Sequence, residues 1–425
     1  MGAGVLSRDD AFQRVGNVLY CEGVPADRLA EEFGTPLYVY SRSSIVERYR
    51  DLDRAFSGVE HLIAYSVKAN GNLAVLRMLA EAGSGADIVS GGELYRALRA
   101  GIPAERIVFS GVGKTEPEMA AALEAGIFGF NVESEGELKR LSAVAHALGA
   151  EAPIALRINP DIESPTPHAY TRTGHRESKF GIPSEEALDL YRLAASLPGI
   201  RVRGIDVHIG SQINEVEPYR QALLHVLELV ETLQGEGILL DYLDLGGGFG
   251  IAYGDETGSN AAAFAAMIVP HLQATGLKLV LEPGRYVVGP SGALLTRVLY
   301  LKEMGGKTFV ITDAGMNDLL RPSHYSGYHR IEPVTHVPGR AVVRADVVGP
   351  VCETGDFLAL DRDLERPAEG DLLAVRTVGA YGFSMASQYN ARPRPAEVLV
   401  DGGEFRLIRR RESLDDLVRG EVELL

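Results

Sequence analysis

Five groups of residues in this 425-residue chain have types and spacing that could do chemistry. Lys68 closes an apolar run, His61 to Val67, where its ammonium would be partly desolvated and its pKa lowered; a neutral amine can form a Schiff base with an aldehyde. Asp87 lies inside a second apolar run and His208 follows another. A histidine at a strand end is more often a satisfied core residue, but its flat ring could stack on a planar ligand. Gly246-Gly247-Gly248, after Tyr242-Leu-Asp-Leu245, reads either as a tight turn or as a loop whose exposed backbone N–H groups bind phosphate. Glu282-Pro-Gly-Arg285 offers a carboxylate beside a guanidinium. Glu282 could simply pair with Arg285, or it could keep a ring nitrogen protonated while Arg285 reinforces the phosphate site.

The elements that must position these groups alternate short apolar runs with helical patterns. The runs are His61 to Val67, Ala86 to Val89, Arg106 to Ser110, Ile127 to Val132, Pro153 to Ile158, Arg201 to Val207, Leu239 to Leu245 and Lys278 to Leu281. Ser90 to Glu93, Thr115 to Glu118 and Ser134 to Glu137 read as capping boxes that open helices. Eight β/α units in roughly 225 residues suit a (β/α)8 TIM-type barrel, although an open doubly wound sheet shows the same alternation. After Arg285 the texture becomes β-runs between Gly and Pro turns: Ala293 to Tyr300, Thr308 to Thr312, Ala341 to Val348 and Leu372 to Val378. The expectation is an α/β barrel over 44–285 and a second, mostly β domain, barrel or sandwich, over 286–425. Residues 1–43, with the strand-like Pro36 to Ser41, would join that second domain.

Functional groups of such a barrel stand just after its strands, at the C-terminal rim. Lys68, Asp87, His208, Gly246, Gly247, Gly248, Glu282 and Arg285 all fall there. A covalent lysine, a planar ring, a phosphate cradle and a carboxylate for a pyridine nitrogen are the inventory needed to hold pyridoxal 5'-phosphate (PLP), whose protonated ring is an electron sink.

Tyr65-Ser-Val-Lys68-Ala-Asn70, Val207-His-Ile-Gly-Ser-Gln212, Asp244-Leu-Gly-Gly-Gly248 and Glu282-Pro-Gly-Arg285 resemble PLP-dependent decarboxylases built on an alanine-racemase-like barrel. Asp313-Ala-Gly-Met-Asn317, Arg321-x-x-x-Tyr325, Gly349-Pro-Val-Cys-Glu-Thr-Gly-Asp356 and Gly379-Ala-Tyr-Gly382 extend the resemblance to the diaminopimelate decarboxylases. It covers roughly residues 30 to 395, with many motifs in the right order. The resemblance implies PLP on Lys68, His208 stacked on its ring with Ser211 nearby, and Asp87 among the cofactor residues. It implies Gly246, Gly247, Gly248, Gly284 and Arg285 at or beside the phosphate, Glu282 at the pyridine nitrogen and Tyr381 over the cofactor. Substrate contacts fall to Arg285, Arg321, Tyr325, Glu353 and Tyr381. Cys352, proposed as proton donor with Lys68 as the alternative, and Glu353 would come from the second subunit of a head-to-tail homodimer. For Cys352 taken alone, a small buried hydrophobe is the commoner state.

The activity so implied is decarboxylation of meso-2,6-diaminopimelate to L-lysine and CO2, the last step of lysine biosynthesis. Arg321 would clamp the distal carboxylate that ornithine and lysine lack. The insert Thr171-x-Thr-Gly174 through Lys179-Phe-Gly181 is also of the diaminopimelate type. Thr354, where Ser is commoner, and Phe249, where Leu often stands, depart from the family pattern. Decarboxylation of ornithine, lysine or carboxynorspermidine is the alternative, with amino-acid racemases and non-catalytic PLP-binding regulators as more distant ones. Racemases of the family place an arginine where this chain has Glu282.

Composition bounds the rest. A formal net charge of -16 disfavours nucleic acid and anionic membrane as partners. Two cysteines cannot make a disulfide framework, residues 1 to 30 lack an apolar signal core, and no run approaches membrane-span length. A cytoplasmic enzyme acting on a small amino acid, without a metal site, is the expectation.

Overall fold

In a computed structural model that describes residues 11–162 and 179–425, the chain divides into two compact units. One comprises Arg48–Ile251 with Thr257–Tyr286; the other comprises the residues up to Glu47, Ala252–Glu256 and Val287–Leu425. The insert from Thr171 to Gly181 lies outside the described residues except for Lys179 to Gly181.

The first unit is a closed parallel barrel. Its strands are β1 (His61–Ser66), β2 (Gly85–Ile88), β3 (Ile107–Phe109), β4 (Gly129–Val132), β5 (Ala152–Asn159), β6 (Ile200–Asp206), β7 (Tyr242–Asp244) and β8 (Lys278–Leu281). Each pairs in parallel with the next, and β8 returns to β1 through Leu279 opposite His61. All eight expected runs are strands, and the closure excludes the open sheet. The seventh is shorter than expected: Leu239 is 70% exposed, and the strand begins only at Tyr242. Helices follow the strands, among them Leu73–Glu81, Gly91–Ala100, Glu116–Ala125 and Glu135–Leu148.

The three helix-start signals are realised in two ways. Thr115 and Glu118 form a full reciprocal box. Ser90 and Ser134 each accept the N–H of the residue three on, but their partner glutamates reach one residue further back, to the N–H groups of Val89 and Glu133. The helix N-termini are satisfied in each case, which fixes where the preceding strand must stop.

Inside the barrel, Leu62, Ala64, Val108, Phe128, Ala155, Tyr242 and Val280 form one apolar cluster. Burying a side chain such as Leu62 or Val280 contributes about 1.5–3 kcal/mol. Above it, towards the strands' C-terminal ends, the interior turns polar.

The second unit is mostly β. Its main sheet runs in the order Phe357–Glu365, Val342–Val348, Lys307–Thr312, Gly292–Met304, Leu37–Ser41, Ala396–Asp401, Glu404–Arg409. Leu37–Ser41 pairs with both Gly292–Met304 and Ala396–Asp401, so the N-terminal segment is a central strand of this unit. Leu372–Arg376 adds to the Gly292–Met304 strand, and Leu37, Val39, Leu295, Ala374 and Val398 share its core. Phe357–Glu365 and Glu404–Arg409 were not apparent as β-runs because they close the two ends of the sheet. Edge strands carry charge, here Asp361, Arg362, Asp363, Glu404 and Arg406, and charge obscures the apolar pattern. No helix among the described residues is long and apolar enough to cross a membrane.

A Cβ at Gly204 in β6 would lie on the ring of buried Tyr242. Gly204→Ala is therefore expected to cost about 1–3 kcal/mol by overpacking, read as a lower urea midpoint at unchanged slope.

Candidate active site

Every strand of the barrel carries a polar residue in its last three positions or directly after it. Ser66, Asp87, Ser110, Asn131, Arg157, Asp206, Asp244 and Glu282 stand near the C-terminal ends of β1 to β8 in turn, and all are buried. The parallel register aligns them: Ser66 is opposite Asp87 and Asp206 opposite Asp244. One polar residue per strand at a common height makes a ring across the barrel mouth.

Lys68 enters this ring from the 3-10 turn Val67–Ala69 directly after β1. Its Nζ donates to Asp87 Oδ2 at 2.6 Å, and Ser66 Oγ donates to the same oxygen at 2.6 Å. Asp87 Oδ1, buried, has no hydrogen-bond partner among the described residues. The lysine side chain is 37% exposed, so an ion pair with a buried carboxylate holds it, more than loss of solvent does.

Glu282 turns into the ring rather than towards Arg285. Its Oε1 accepts from Ser110 Oγ at 3.0 Å and from Asn131 Nδ2 at 3.1 Å. Asn131 Nδ2 lies equally close, 3.1 Å, to Asp244 Oδ2. Burial, then the charges of Asp244 and Asp87, push the Glu282 carboxyl well above its ordinary range. Burial and Asp206 likewise raise Asp244. Arg157 is the guanidinium within the ring, held by Glu133 at 3.4 Å with Asp206 at 3.9 Å.

The glycine triplet is as tight as its composition implies. A Cβ on Gly246 would strike His208, one on Gly247 the carbonyl of Glu282, and one on Gly248 the carbonyl of Gly210. Gly246 and Gly248 also have positive φ, 65° and 93°. Two of the three N–H groups are engaged within the protein, contrary to the expectation that all are exposed: Gly246 donates to Asp244 Oδ1 at 2.8 Å and Gly247 to His208 Nδ1 at 3.1 Å. The latter bond makes Nδ1 the unprotonated nitrogen. Burial, reinforced by Arg157 and Lys68, pushes the imidazole well below its ordinary value. Arg285, buried in the short helix Arg285–Val288, donates to Ser211 Oγ at 3.3 Å. Gly284 packs so closely on Ser66 and Ala69 that a side chain would displace the Lys68 turn.

The barrel thus brings Lys68, Asp87, His208, Ser211, Gly246, Gly247, Gly248, Glu282, Gly284 and Arg285 to one end. These residues fit PLP on the structure's own terms. An amine stands beside a buried carboxylate oxygen without a partner, a flat neutral ring lies over a cradle without Cβ atoms, and an inward carboxyl has raised proton affinity. Asn131, Ser110, Arg157, Asp206 and Asp244 escaped the site assignment. Their only sequence signal is a polar residue in the last positions of a mostly apolar run.

The remaining candidates belong to the second unit. Arg321, buried in the helix Arg321–Tyr325, has its guanidinium 4.9 Å from the Tyr253 ring centroid and 5.9 Å from that of Tyr325. Its Nε donates to His329 Nε2 at 3.3 Å, while His329 Nδ1 meets the carbonyl of Arg376 at 2.9 Å, which fixes that imidazole's tautomer. Cys352 is exposed, not the buried hydrophobe that lone cysteines usually are. Its N–H donates to Asn390 Oδ1 at 2.8 Å, and the adjacent Glu353 is hydrogen-bonded to Tyr389. Asp356 accepts the N–H groups of Met316 and Val351, both at 2.6 Å, and so shapes the loop that carries Cys352. Tyr381 is half-buried with φ 56°, a left-handed conformation that is costly for a tyrosine.

The barrel and its rim define the class. Residues 42–289 match the family described as pyridoxal-dependent decarboxylase, pyridoxal binding domain. Over 407 residues the chain is 51% identical to the diaminopimelate decarboxylase of Neisseria meningitidis serogroup B, covering 96% of this chain and 98% of that one. It is 51% identical over 412 residues to that of Pseudomonas aeruginosa, covering 97% and 99%. The crystal structure of diaminopimelate decarboxylase from Helicobacter pylori complexed with L-lysine superposes with a TM-score of 0.90 at 44% identity, covering 94% of this chain and all of that one. The chain belongs to the diaminopimelate decarboxylase family of pyridoxal-dependent decarboxylases.

His208, neutral when folded, takes up a proton on unfolding below its ordinary value of 6.5. Its contribution is therefore full above that value and lost as pH falls. Between about pH 7.5 and about pH 5, wild type is expected to lose about 1–2 kcal/mol more stability than His208→Gln, measured by denaturant unfolding at each pH.

Proposed function

We propose that this protein decarboxylates meso-2,6-diaminopimelate to L-lysine and CO2 with PLP, as the last step of lysine biosynthesis. The observation that carries the reading is 51% identity to diaminopimelate decarboxylases over nearly the whole chain. The L-lysine in the Helicobacter pylori complex, the product of such a reaction, supports it. Lysine/ornithine decarboxylase structures at 24% identity share the fold alone.

When bound, PLP supplies an aldehyde that captures the substrate amine and a ring that takes up the electron pair left by departing CO2. Lys68 is the residue that carries it, with Asp87 holding Nζ in place. His208, held neutral, would offer the ring a flat face without a competing cation. Gly246, Gly247, Gly248, Gly284, Ser211 and Arg285 would hold the phosphate, and Glu282 would hold the ring-nitrogen proton. The family resemblance gives Tyr381 a further contact with the cofactor.

The substrate has a second amino-acid end, and the family resemblance assigns Arg321, Tyr325 and Glu353 to it. Arg321, oriented by His329, gives the distal carboxylate a planar two-point donor, and Tyr325 a hydroxyl. Glu353 takes the distal ammonium. Cys352, whose N–H is fixed by Asn390, returns the proton. We assign Cys352 and Glu353 to the site of a second subunit in a homodimer, which agrees with their exposure in the single chain. The acidic surface and the absence of a disulfide framework favour a cytoplasmic enzyme without nucleic-acid or membrane partners.

CO2 release measured in parallel from diaminopimelate, lysine, ornithine, arginine and carboxynorspermidine tests the reading. Release from diaminopimelate with equimolar lysine is expected; release from another substrate overturns the Arg321 and Glu353 roles. Lys68→Ala is expected to lose at least ~1000-fold in kcat, and Arg321→Lys to raise KM about tenfold by losing the two-point geometry. Mixing Lys68→Ala with Cys352→Ala, each inactive alone, is expected to restore about a quarter of wild-type activity through mixed dimers carrying one intact site. No recovery would show that the sites are not shared.

A further inference from the structure

We infer that Asp244 is a positioning residue that shares one proton with Glu282, so that the two carboxyls act on the cofactor's ring nitrogen as a single acid–base unit. The inference rests on the reading that Glu282 meets that nitrogen.

The geometry is specific. Asp244 ends β7 and Glu282 follows β8, the strand paired with it. Both are buried, and their carboxyls lie within reach of each other, a contact that one shared proton favours and two full charges do not. The amide nitrogen of Asn131 is 3.1 Å from Asp244 Oδ2 and 3.1 Å from Glu282 Oε1, so one donor bridges the two acids. Ser110 Oγ donates to the same glutamate oxygen. The other oxygen of Asp244 accepts the N–H of Gly246 at 2.8 Å. Asp244 therefore links the carboxyl at one end of the cofactor site to the glycine loop at the other, without needing to touch the cofactor.

The surroundings decide the charge of the pair. Asp206 from β6 and Asp87 from β2 face it with further negative charge; Arg157 from β5 and Lys68 after β1 oppose them, and Glu133 lies against Arg157 and near Asp206. Acidic groups outnumber the cations in a space from which water is largely removed. Two carboxyls in such contact lose their protons in separate steps that belong to the pair. The pair passes from one negative charge to two as pH rises, and in the doubly charged state it binds a protonated ring nitrogen more strongly. Both raised carboxyls fit this sequence.

Asp244→Asn keeps an acceptor for Gly246 and a donor towards Glu282 but fixes the unit at one charge. The test uses the full-length chain, stripped of cofactor, and measures the Kd of PLP and of its deaza analogue, which has C–H in place of the ring nitrogen. The ratio of the two affinities reports only what the protein does to that nitrogen. Between about pH 6.5 and about pH 9 the wild-type preference for PLP is expected to rise about tenfold more than that of Asp244→Asn. Asp244→Ser, which also keeps a donor and an acceptor, gives the same comparison should the first variant not fold. Glu282→Gln is expected to lower the preference at both pH values. If it does so while Asp244→Asn follows the wild-type pH course, the shared proton is wrong and the Glu282 role stands. If Glu282→Gln leaves the preference at the wild-type level, the Glu282 reading falls and the inference falls with it.

Discussion

A buried ring of polar groups at the mouth of a barrel depends on dense partnering among its members, because unpaired charge in a water-poor space costs several kcal/mol. Here four ring carboxyls, Asp87, Asp206, Asp244 and Glu282, face Arg157 and Lys68. The partnering is dense: Asn131 bridges two acids, Ser66 and Lys68 share one oxygen of Asp87, and the glycine loop donates to Asp244. The strand register, the glycines and the apolar cluster below are the means by which these groups are held at one height.

The same constraint explains why the loop glycines cannot be replaced. Gly247 passes against the Glu282 carbonyl, and Gly284 against Ser66 and Ala69, so the backbone of one rim loop is the wall of the next. A Cβ at either place would move Lys68 or Glu282, not merely stiffen a turn. Rim chemistry and rim packing are thus one problem. In the second unit the equivalent task falls to side chains: Asp356 ties the Cys352 loop to Met316, and His329 orients Arg321.

Much was legible beforehand. Eight apolar runs give eight barrel strands, because a strand covered on both faces writes an uninterrupted apolar word. The Leu37–Ser41 strand was legible for the same reason, being central in its sheet. The edge strands Phe357–Glu365 and Glu404–Arg409 were not, since exposure lets charge into the pattern. Lys68, His208, the glycines and Glu282-Pro-Gly-Arg285 were legible from residue type and spacing, helped by a resemblance that extended to Arg321 and Cys352. His329 and Asn390 were not, since a lone histidine or asparagine in a loop has no pattern to mark it.

The sequence by itself determined which chemistry the chain carries: an amine, a flat ring, a glycine loop and a carboxylate, each at the end of an apolar run. Spacing reveals this because strand period and loop length are local properties. Only the tertiary structure decided which acids meet. Asn131, Asp244 and Glu282 are far apart in the chain and come within hydrogen-bond reach only when the barrel closes β8 onto β1. Whether a carboxyl keeps its proton depends on burial and on neighbours across the barrel, and neither is written along the chain.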